Sequence, residues 1–317
     1  MNLERMVLAW QNLAREALVP GFAIAVLEPK NPVWNAVYGV AKAEIPVTIN
    51  TIFEAASLSK QVVAFATLKL CHEGLLELDK PLIQYLPDPN LEHDARLGLI
   101  TIRHVLSHTS GLPNWLPEGE IATTQFQPSE RFSYSGTGFY KLQRVLEQIT
   151  GSTLEEHLQE TVFKPLGMQD SSFIWREDFA GRVAFGHDKH GAVMPKSKPV
   201  QAHAAYSLHS TVGDLARFLQ QCLQPSSISL TMQEPQIAIN ENISWGLGWG
   251  LEECVSGKFF WQWGHNPGFR ALMVGSSNTG FGVVVLTNGT NGDKLWKSVL
   301  TDLTGIAHPA LAWLEGS

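Results

Sequence analysis

The sequence is short of cysteine, of charge and of long apolar runs, and each shortage excludes a class of protein. The 317 residues include three cysteines, Cys71, Cys222 and Cys254, which are odd in number and too far apart for a disulfide framework or a C-x-x-C site. Charged residues make up 17%, and with 10 Trp and 15 Phe the chain is neither disordered, coiled-coil nor collagen-like. No stretch approaches 18 consecutive apolar residues, so we predict no membrane-spanning helix.

Positive charge is also scarce. Lys and Arg number 23 against 30 Asp and Glu, which gives a net charge of −7 with no basic run. Such a surface repels phosphate backbones, so we predict no nucleic-acid partner. The N-terminal residues 1–29 carry charges at Glu4, Arg5, Arg15 and Glu16 and contain no uninterrupted apolar segment, so we read no signal peptide there. We therefore expect a cytoplasmic protein, or a periplasmic one if a leader was removed.

Hydrophobic periodicity predicts sheet elements at both ends of the chain and helical elements between them. Helical spacing is found over 3–18, 59–73, 214–222 and 294–303, and β-rich runs over 22–28, 33–40, 245–252, 258–263, 269–275 and 282–287. Residues 75–200 contain short helical stretches between Pro- and Gly-bearing loops. This order predicts an α+β fold in which terminal helices flank an antiparallel sheet. We predict a discontinuous sheet domain (1–56 and 205–317) and an inserted, mainly helical domain (57–204).

Several common chemical motifs are absent. His104 and His108 are four residues apart and His187 and His190 three apart, but no H-E-x-x-H or third ligand accompanies them, so we predict no metal site. Without a P-loop or a G-x-G-x-x-G string we also predict no cofactor. The glycines of residues 245–250 (WGLGWG) are more typical of strand bends or close backbone approaches. A G-x-S-x-G nucleophile elbow is missing too, which argues against an α/β-hydrolase.

One serine motif remains, the S-x-x-K of Ser57 and Lys60 at the start of the almost wholly apolar helix 59–73. Residues three apart on a helix share a face, so the two side chains can share a proton. Burial in an apolar helix disfavours the ammonium form of lysine and makes Lys60 a candidate base for Ser57. The alternative is a helix-capping serine beside a lysine that extends to solvent.

Longer strings resemble the serine β-lactamase and penicillin-binding protein superfamily, in particular its class C-like branch of β-lactamases, D-peptidases and esterases. They lie in the order expected for that branch between about residues 20 and 290: 57–60 (SLSK), 99–113 (LITIRHVLSHTSGLP), 134–139 (YSGTGF), 164–168 (KPLGM) and 211–218 (TVGDLARF). The resemblance implies a β-lactamase/transpeptidase-like fold with the active site between its two domains. It also implies a serine hydrolase without a cofactor.

The resemblance assigns three catalytic roles. Ser57 resembles the acylated nucleophile, Lys60 the group that accepts or polarises its proton, and Tyr134 the tyrosine of the second motif, which acts as a phenolate or shared base. A tyrosine with a pKa near 10 is a base at neutral pH only if a cation lowers that pKa. Lys60 is the expected cation.

The third motif of the superfamily, K-T-G or H-x-G, aligns without a gap on Gln262, Trp263 and Gly264. On that alignment the backbone N–H of His265 and that of Ser57 form the oxyanion hole. The alternative gives the His265 side chain a substrate or proton contact. Strand alternation places Trp261 and Trp263 on one face and Gln262 on the other.

Two substrate-binding positions depart from the superfamily pattern. Gly136 stands where members commonly carry an Asn that holds the acylamide group of the substrate. Gln262 stands where they carry a cation for the substrate carboxylate. The acylation residues are unaffected, so we predict a carboxylesterase-type hydrolase with an acyl-Ser57 intermediate, acting on small esters or amides. The alternatives are a β-lactamase or D-amino-acid peptidase that binds a lactam or peptide, and a non-catalytic ligand-binding homologue.

Overall fold

The computed structural model describes residues 3–117 and 119–316. Its α-helices are α1 (Leu3–Glu16), α2 (Ser59–His72), α3 (Ile102–Leu106), α4 (Gly136–Thr150), α5 (Leu154–Leu158), α6 (Lys164–Leu166), α7 (Val212–Leu223), α8 (Ser227–Met232), α9 (Asp293–Thr304) and α10 (Pro309–Gly316). Its strands are β1 (Gly21–Leu27), β2 (Trp34–Lys42), β3 (Ile45–Pro46), β4 (Phe53–Glu54), β5 (His209–Ser210), β6 (Ile237–Ala238), β7 (Ile243–Trp245), β8 (Gly250–Cys254), β9 (Gly257–Asn266), β10 (Phe269–Ser276) and β11 (Phe281–Thr287).

A single large antiparallel sheet organises the part of the chain that the structure describes. Its nine strands lie in the order β3-β2-β1-β11-β10-β9-β8-β7-β6. The first and last long strands of the chain are neighbours, since Phe22 of β1 pairs with Thr287 of β11. The short strands β4 and β5 form a separate pair, and β4 ends just before the serine motif. The chain therefore leaves the sheet after β3 and returns to it at β6.

The central strands are buried on both faces, and their side chains alternate between two cores. Phe22 and Ile24 of β1 pack toward the terminal helices α1, α9 and α10, together with Val283 of β11. Ala23 of β1 and Val284 of β11 face the opposite core, which contains α2, α7 and most of the inserted helices. This period of two is the one expected for strands covered on both sides. The flanking terminal helices predicted from the sequence are thus confirmed.

Helix α2 is the central helix of the second core. Its bounds, Ser59–His72, match the predicted range 59–73, and most of its side chains are buried. A helix that is apolar nearly all round has to be enclosed by other elements. The apolar composition that predicts burial therefore also places Lys60, near the helix N-terminus, away from solvent.

The predicted strand over 245–252 is wrong, because β7 ends at Trp245 and β8 begins at Gly250. Between them the backbone turns out of the sheet toward the helices. Gly248 takes φ +103°, donates its N–H to the carbonyl of Leu106 (2.9 Å) and accepts from Gln61 Nε2 of α2 (2.6 Å). A side chain at Gly246 would lie 2.4 Å from the carbonyl oxygen of Met232. The glycines are close backbone approaches, as predicted, and they break the strand.

The short helices α8 and α10 were not predicted. α10 is held to β8 by the buried side chain of Glu252, which accepts from the N–H of Ala310 (2.8 Å) and pairs with His308 Nδ1 (2.6 Å). A hydrogen bond between elements this far apart in the chain leaves no periodic pattern in the sequence from which α10 could be predicted. Among the described residues no helix is long and apolar enough to cross a bilayer. The predicted division into two domains remains a prediction.

We expect Glu252→Ala to lower the free energy of unfolding by about 3 kcal/mol, because it leaves the buried imidazole of His308 and the N–H of Ala310 without their partner. Guanidinium denaturation followed by circular dichroism measures the change. The matched control is Glu253→Ala, which breaks an exposed pair with Lys258 and is expected to cost less than about 1 kcal/mol. Equal effects of the two substitutions would contradict a clamping role for Glu252.

Candidate active site

Ser57 lies in a single 3₁₀ turn, Ala56–Leu58, that joins β4 to α2. Ala56 takes φ +50°, a left-handed conformation that residues other than glycine rarely adopt. The turn is fixed by the Ser59 hydroxyl, which donates to the Ala56 carbonyl (2.6 Å) and accepts from Leu208 N–H (3.1 Å). The Ala55 N–H also donates to the Leu208 carbonyl (2.8 Å). These bonds present Ser57, half-buried, at the N-terminus of α2.

Lys60 is fully buried beside Ser57. Its Nζ lies 3.0 Å from Ser57 Oγ and 2.8 Å from the carbonyl oxygen of Ala205. Burial lowers the pKa of Lys60 to about 7, because the ammonium form loses its hydration. The shared helical face and the lowered pKa expected from the sequence are both present. The burial of Lys60 therefore favours its neutral amine, the form that can accept a proton.

Tyr134 is brought to the same place from the loop before α4. Lys60 Nζ lies over its ring, 4.8 Å from the centroid. Its hydroxyl accepts from Gln262 Nε2 (2.8 Å) and hydrogen-bonds to Ser57. The ring packs against the buried imidazole of His108, with centroids 4.1 Å apart and an interplanar angle of 31°. Ser57, Lys60 and Tyr134, separated by up to 77 residues in the chain, thus converge.

The expectation that Lys60 lowers the pKa of Tyr134 is wrong. Desolvation raises the pKa of Tyr134 above its usual value, and the hydrogen bonds to Ser57 and Gln262 offset only part of that rise. The burial that disfavours the ammonium form of Lys60 also weakens the positive charge that a phenolate would need beside it. Tyr134 is therefore a phenol at neutral pH, and Lys60 is the stronger candidate for the base.

Strand β9 runs alongside the turn that carries Ser57. A Cβ added to Gly264 would lie 2.6 Å from the Ala55 carbonyl oxygen and 3.1 Å from Ser57 N. Gln262, two residues earlier on the same face, reaches Tyr134 with its Nε2 and also donates to the Trp263 carbonyl (2.9 Å). The Oε1 of Gln262 is buried and has no hydrogen-bond partner. The third-motif segment therefore lies against the nucleophile, as the gapless alignment predicts.

The His265 side chain points to the opposite face of β9. Its imidazole stacks on Trp296 of α9, with centroids 5.5 Å apart and an interplanar angle of 23°. Trp263 lies on that face as well, 5.7 Å from Trp261. Because Gly264 faces the turn of Ser57, its neighbour faces away from it. This placement disfavours the alternative in which the His265 side chain contacts substrate, and it leaves the backbone N–H as the group that can contribute.

Gly264→Ala is expected to lower kcat for any substrate acylated at Ser57 by about 10²-fold, because its Cβ must push β9 away from the turn. The overpacking is also expected to cost about 1–3 kcal/mol of stability. Steady-state kinetics and guanidinium denaturation measure the two effects. The control is Gly181→Ala, where an added Cβ meets nothing within 4 Å. Full activity in Gly264→Ala would contradict the close approach.

The sequence as a whole matches a known family. A family model described as Beta-lactamase matches residues 10–301. The chain belongs to the Beta-lactamase family. Penicillin-binding protein 4* of Bacillus subtilis is 27% identical over 271 residues, which cover 72% of this chain and 59% of that protein. Esterase EstB of Burkholderia gladioli is 30% identical over 205 residues, which cover 55% of this chain and 52% of the esterase.

The fold agrees with this assignment. A solved β-lactamase/D-alanine carboxypeptidase from Pseudomonas syringae superposes with a TM-score of 0.86 at 19% identity, covering 98% of this chain and 100% of that one. The β-lactamase/transpeptidase-like fold predicted from the sequence is thereby confirmed. The chain spans about three fifths of the length of the first curated relatives that it matches.

In this member of the Beta-lactamase family, the second motif carries a glycine for a steric reason. A Cβ at Gly136 would lie 2.8 Å from the indole of Trp115 and 3.0 Å from the Asn114 carbonyl oxygen. The Gly136 N–H donates to that carbonyl and to the Asn114 side chain, each at 3.0 Å. Trp115 therefore occupies the space into which a side chain at position 136 would extend.

Sequence reasoning missed three parts of the site. The Ala205 carbonyl that binds Lys60 has no sequence signal, because any residue supplies a carbonyl. His108 is inside a string that resembles the family, but its packing against Tyr134 could not be read from that string. The carboxylate of Glu54 accepts from Lys196 Nζ (2.5 Å) and from Asn266 Nδ2 (2.8 Å), and so joins the strand before Ser57 to the end of β9.

Two of the histidines considered as metal ligands have hydrogen-bond partners in the fold. His104 Nδ1 accepts from Thr101 N–H (3.1 Å) at the start of α3, and His187 Nδ1 contacts the Asn288 carbonyl (2.9 Å). Within residues 3–117 and 119–316, one group of metal-type ligands converges elsewhere, Glu252, Cys254 and His308. Its carboxylate already binds His308 and the N-terminus of α10, so its position is explained by the fold.

Proposed function

We propose that this chain is a serine hydrolase that forms an acyl-Ser57 intermediate and acts on small carboxylic esters. The observation that carries the proposal is the 3.0 Å separation between Ser57 Oγ and Lys60 Nζ, in a site where burial lowers the pKa of Lys60 to about 7. A neutral amine within hydrogen-bond reach of a hydroxyl is the arrangement that activates a serine nucleophile.

The acylation step follows from these positions. Lys60 Nζ takes the Ser57 proton as Oγ attacks the ester carbonyl carbon, and the carbonyl electron pair moves to its oxygen. The backbone N–H groups of Ser57 and His265 stabilise that oxyanion. The intermediate collapses with loss of the alkoxide, which takes the proton of the Tyr134 hydroxyl, and the Lys60 ammonium returns a proton to Tyr134. Water then hydrolyses the acyl-enzyme.

The choice of an ester rests on the two altered positions. Gln262 presents a buried, unpartnered oxygen beside Tyr134, where an anionic substrate group would need a cation. At position 136 the Asn side-chain amide of the family pattern is absent, and the indole of Trp115 fills the space beside Gly136. Both changes disfavour a β-lactam or D-alanyl peptide with a carboxylate. The similarity to esterase EstB supports the same choice.

The test combines turnover with labelling of the nucleophile. We expect hydrolysis of p-nitrophenyl butyrate and a fluorophosphonate adduct on the peptide that contains Ser57, detected by mass spectrometry. Absence of both would contradict the proposal. Turnover of a chromogenic cephalosporin in preference to the ester would favour the alternative, a β-lactamase or D-amino-acid peptidase. Ligand binding without hydrolysis across a broad substrate panel would favour a non-catalytic homologue.

A further inference from the structure

A buried ion pair lies just before the nucleophile in the chain. Glu54, the last residue of β4, pairs with Lys196 Nζ (2.5 Å), and the two side chains are only 6% and 5% exposed. The ammonium also lies over the ring of Phe269, 5.0 Å from its centroid. A pair of charges removed from water gains little stability over apolar side chains of similar volume. Stability alone therefore gives little reason for a buried pair at this position.

A neighbouring histidine adds a hydrogen bond to the pair without adding charge. Lys196 Nζ lies 3.2 Å from His209 Nε2, and His209 Nδ1 lies 3.0 Å from the Ser207 carbonyl oxygen. Burial lowers the pKa of His209 to about 4, so its imidazole is neutral at pH 7. A neutral imidazole donates from one ring nitrogen and accepts at the other. Nδ1 therefore donates to Ser207, Nε2 accepts from Lys196, and the ammonium keeps its pairing with Glu54.

The carboxylate of Glu54 joins the two segments that carry the oxyanion-hole donors. Its Oε2 accepts from Asn266 Nδ2 (2.8 Å), and Asn266 follows His265 at the end of β9. In the other direction Glu54 lies three residues before Ser57, in the strand that leads into its turn. The backbone N–H groups of Ser57 and His265 are the two proposed donors. One carboxylate therefore connects two segments that are far apart in the sequence.

Direct backbone contact limits how closely β9 approaches the turn of Ser57. Gly264 lies so near that an added Cβ would come within 2.6 Å of the Ala55 carbonyl oxygen and 3.1 Å of Ser57 N. The hydrogen bond between Glu54 and Asn266 limits how far the same two segments separate. An oxyanion-hole donor has to lie about 2.7–3.1 Å from the oxygen that it stabilises. The contact and the hydrogen bond thus act in opposite directions on the distance between the two donors.

We propose that Glu54 is a positioning residue, which holds Asn266 and so keeps the backbone donors of His265 and Ser57 at the separation that an oxyanion requires. This inference rests on the proposed esterase function. Glu54 acts on the reaction through the backbone of β9 and of the turn. Lys196 supplies the positive charge that allows a carboxylate to be buried beside the site.

The experiment removes the ion pair in two ways that leave no unpaired buried charge. Glu54→Met combined with Lys196→Met replaces the pair by apolar side chains and leaves Asn266 without its acceptor. Glu54→Gln combined with Lys196→Met also removes both charges, but the new side-chain oxygen can still accept from Asn266. For p-nitrophenyl butyrate we expect the first double variant to lower kcat about 10- to 100-fold, with KM changed less than about 2-fold. The second should lower kcat less than about 3-fold.

A boronic acid reports on the oxyanion hole itself. The boron of n-butylboronic acid accepts an electron pair from a nucleophilic serine oxygen, and the tetrahedral adduct resembles the transition state more than the substrate does. We expect its inhibition constant to rise in the first double variant by about the factor by which kcat/KM falls, and to stay near the wild-type value in the second. A purely structural role would lower the melting temperature without changing this constant.

Two further variants separate positioning from folding. Asn266→Ala removes the other partner of the hydrogen bond, so it should lower kcat to a similar extent and add little to the first double variant. The control is Asp94→Asn, which alters a carboxylate that is also 6% exposed and that binds Thr124 N–H (2.7 Å) and Arg96. We expect this control to lower the melting temperature and to leave kcat unchanged.

The outcomes that would overturn the positioning role are distinct from failure of the esterase function. Equal kcat in the two double variants would overturn the role, because only one of them keeps an acceptor for Asn266. Unchanged kcat in Asn266→Ala would overturn it as well. If wild type hydrolyses no ester and Ser57 takes no fluorophosphonate label, the proposed function fails and the positioning role falls with it.

Discussion

Ser57→Ala is expected to lower kcat for p-nitrophenyl butyrate by at least about 10⁴-fold, the largest effect of any substitution in this chain. Without Oγ there is no covalent path, and Lys60 Nζ loses the hydroxyl that lies 3.0 Å from it. The oxyanion-hole donors remain, so a small residual rate is expected. Stopped assays with purified variants and intact-mass analysis after fluorophosphonate treatment measure both the rate and the loss of labelling.

The matched control is Ser59→Ala, two residues away in the same turn. Ser59 Oγ is fully buried and is bonded to the Ala56 carbonyl and to Leu208 N–H, so its loss should destabilise the turn but leave the nucleophile in place. We expect this variant to be labelled still at Ser57, with a lower melting temperature. Equal rates in wild type and Ser57→Ala would contradict the nucleophile assignment and favour a binding protein.

Lys60→Met is expected to lower kcat by about 10³-fold and to change the pH dependence of the remaining activity. The active form of Lys60 is the neutral amine, and burial lowers its pKa to about 7. In wild type, kcat/KM should therefore fall about tenfold per unit below pH 7 and become constant at higher pH. In Lys60→Met this decrease below pH 7, the acidic limb of the pH profile, should disappear. Methionine fills the buried space without a desolvated ammonium, so the fold should not be weakened.

Two controls identify the base. Tyr134→Phe should reduce the rate by a smaller factor and keep the limb near pH 7, because Tyr134 remains a phenol over this range. Lys69→Met, which removes a cation elsewhere on α2, should alter neither rate nor pH profile. A limb near pH 7 that persists in Lys60→Met and vanishes in Tyr134→Phe would assign the base to Tyr134 instead.

The parts of the molecule that follow from local pattern were predictable from the sequence. The apolar residues of α2 predict its burial, and the i, i+3 spacing predicts the contact between Ser57 and Lys60. Strand alternation predicts that Gln262 and Trp263 occupy opposite faces of β9. The contact of Trp263 with Trp261 and that of Gln262 with Tyr134 bear this out. In each case neighbouring residues in the sequence determine the geometry.

The remaining features depend on contacts between distant segments. Gly248 breaks the predicted strand because its backbone meets Leu106 and Gln61, which are more than 140 residues away. The pKa of Tyr134 is set by the desolvation that the assembled fold imposes on its hydroxyl. Trp115 fills the space beside Gly136, although the tryptophan lies just outside the strings that resemble the family. Periodicity and spacing carry no information about these contacts.

The order of the strands also determines which strands of the sheet have unpaired edges. The most apolar strands, β1 and β11, lie side by side within the sheet, while its two edges are the two-residue strands β3 and β6. At one edge, Pro46 of β3 has no N–H to donate. The strands best suited to fibril formation, β1 and β11, are paired along both of their edges by neighbours in the same sheet.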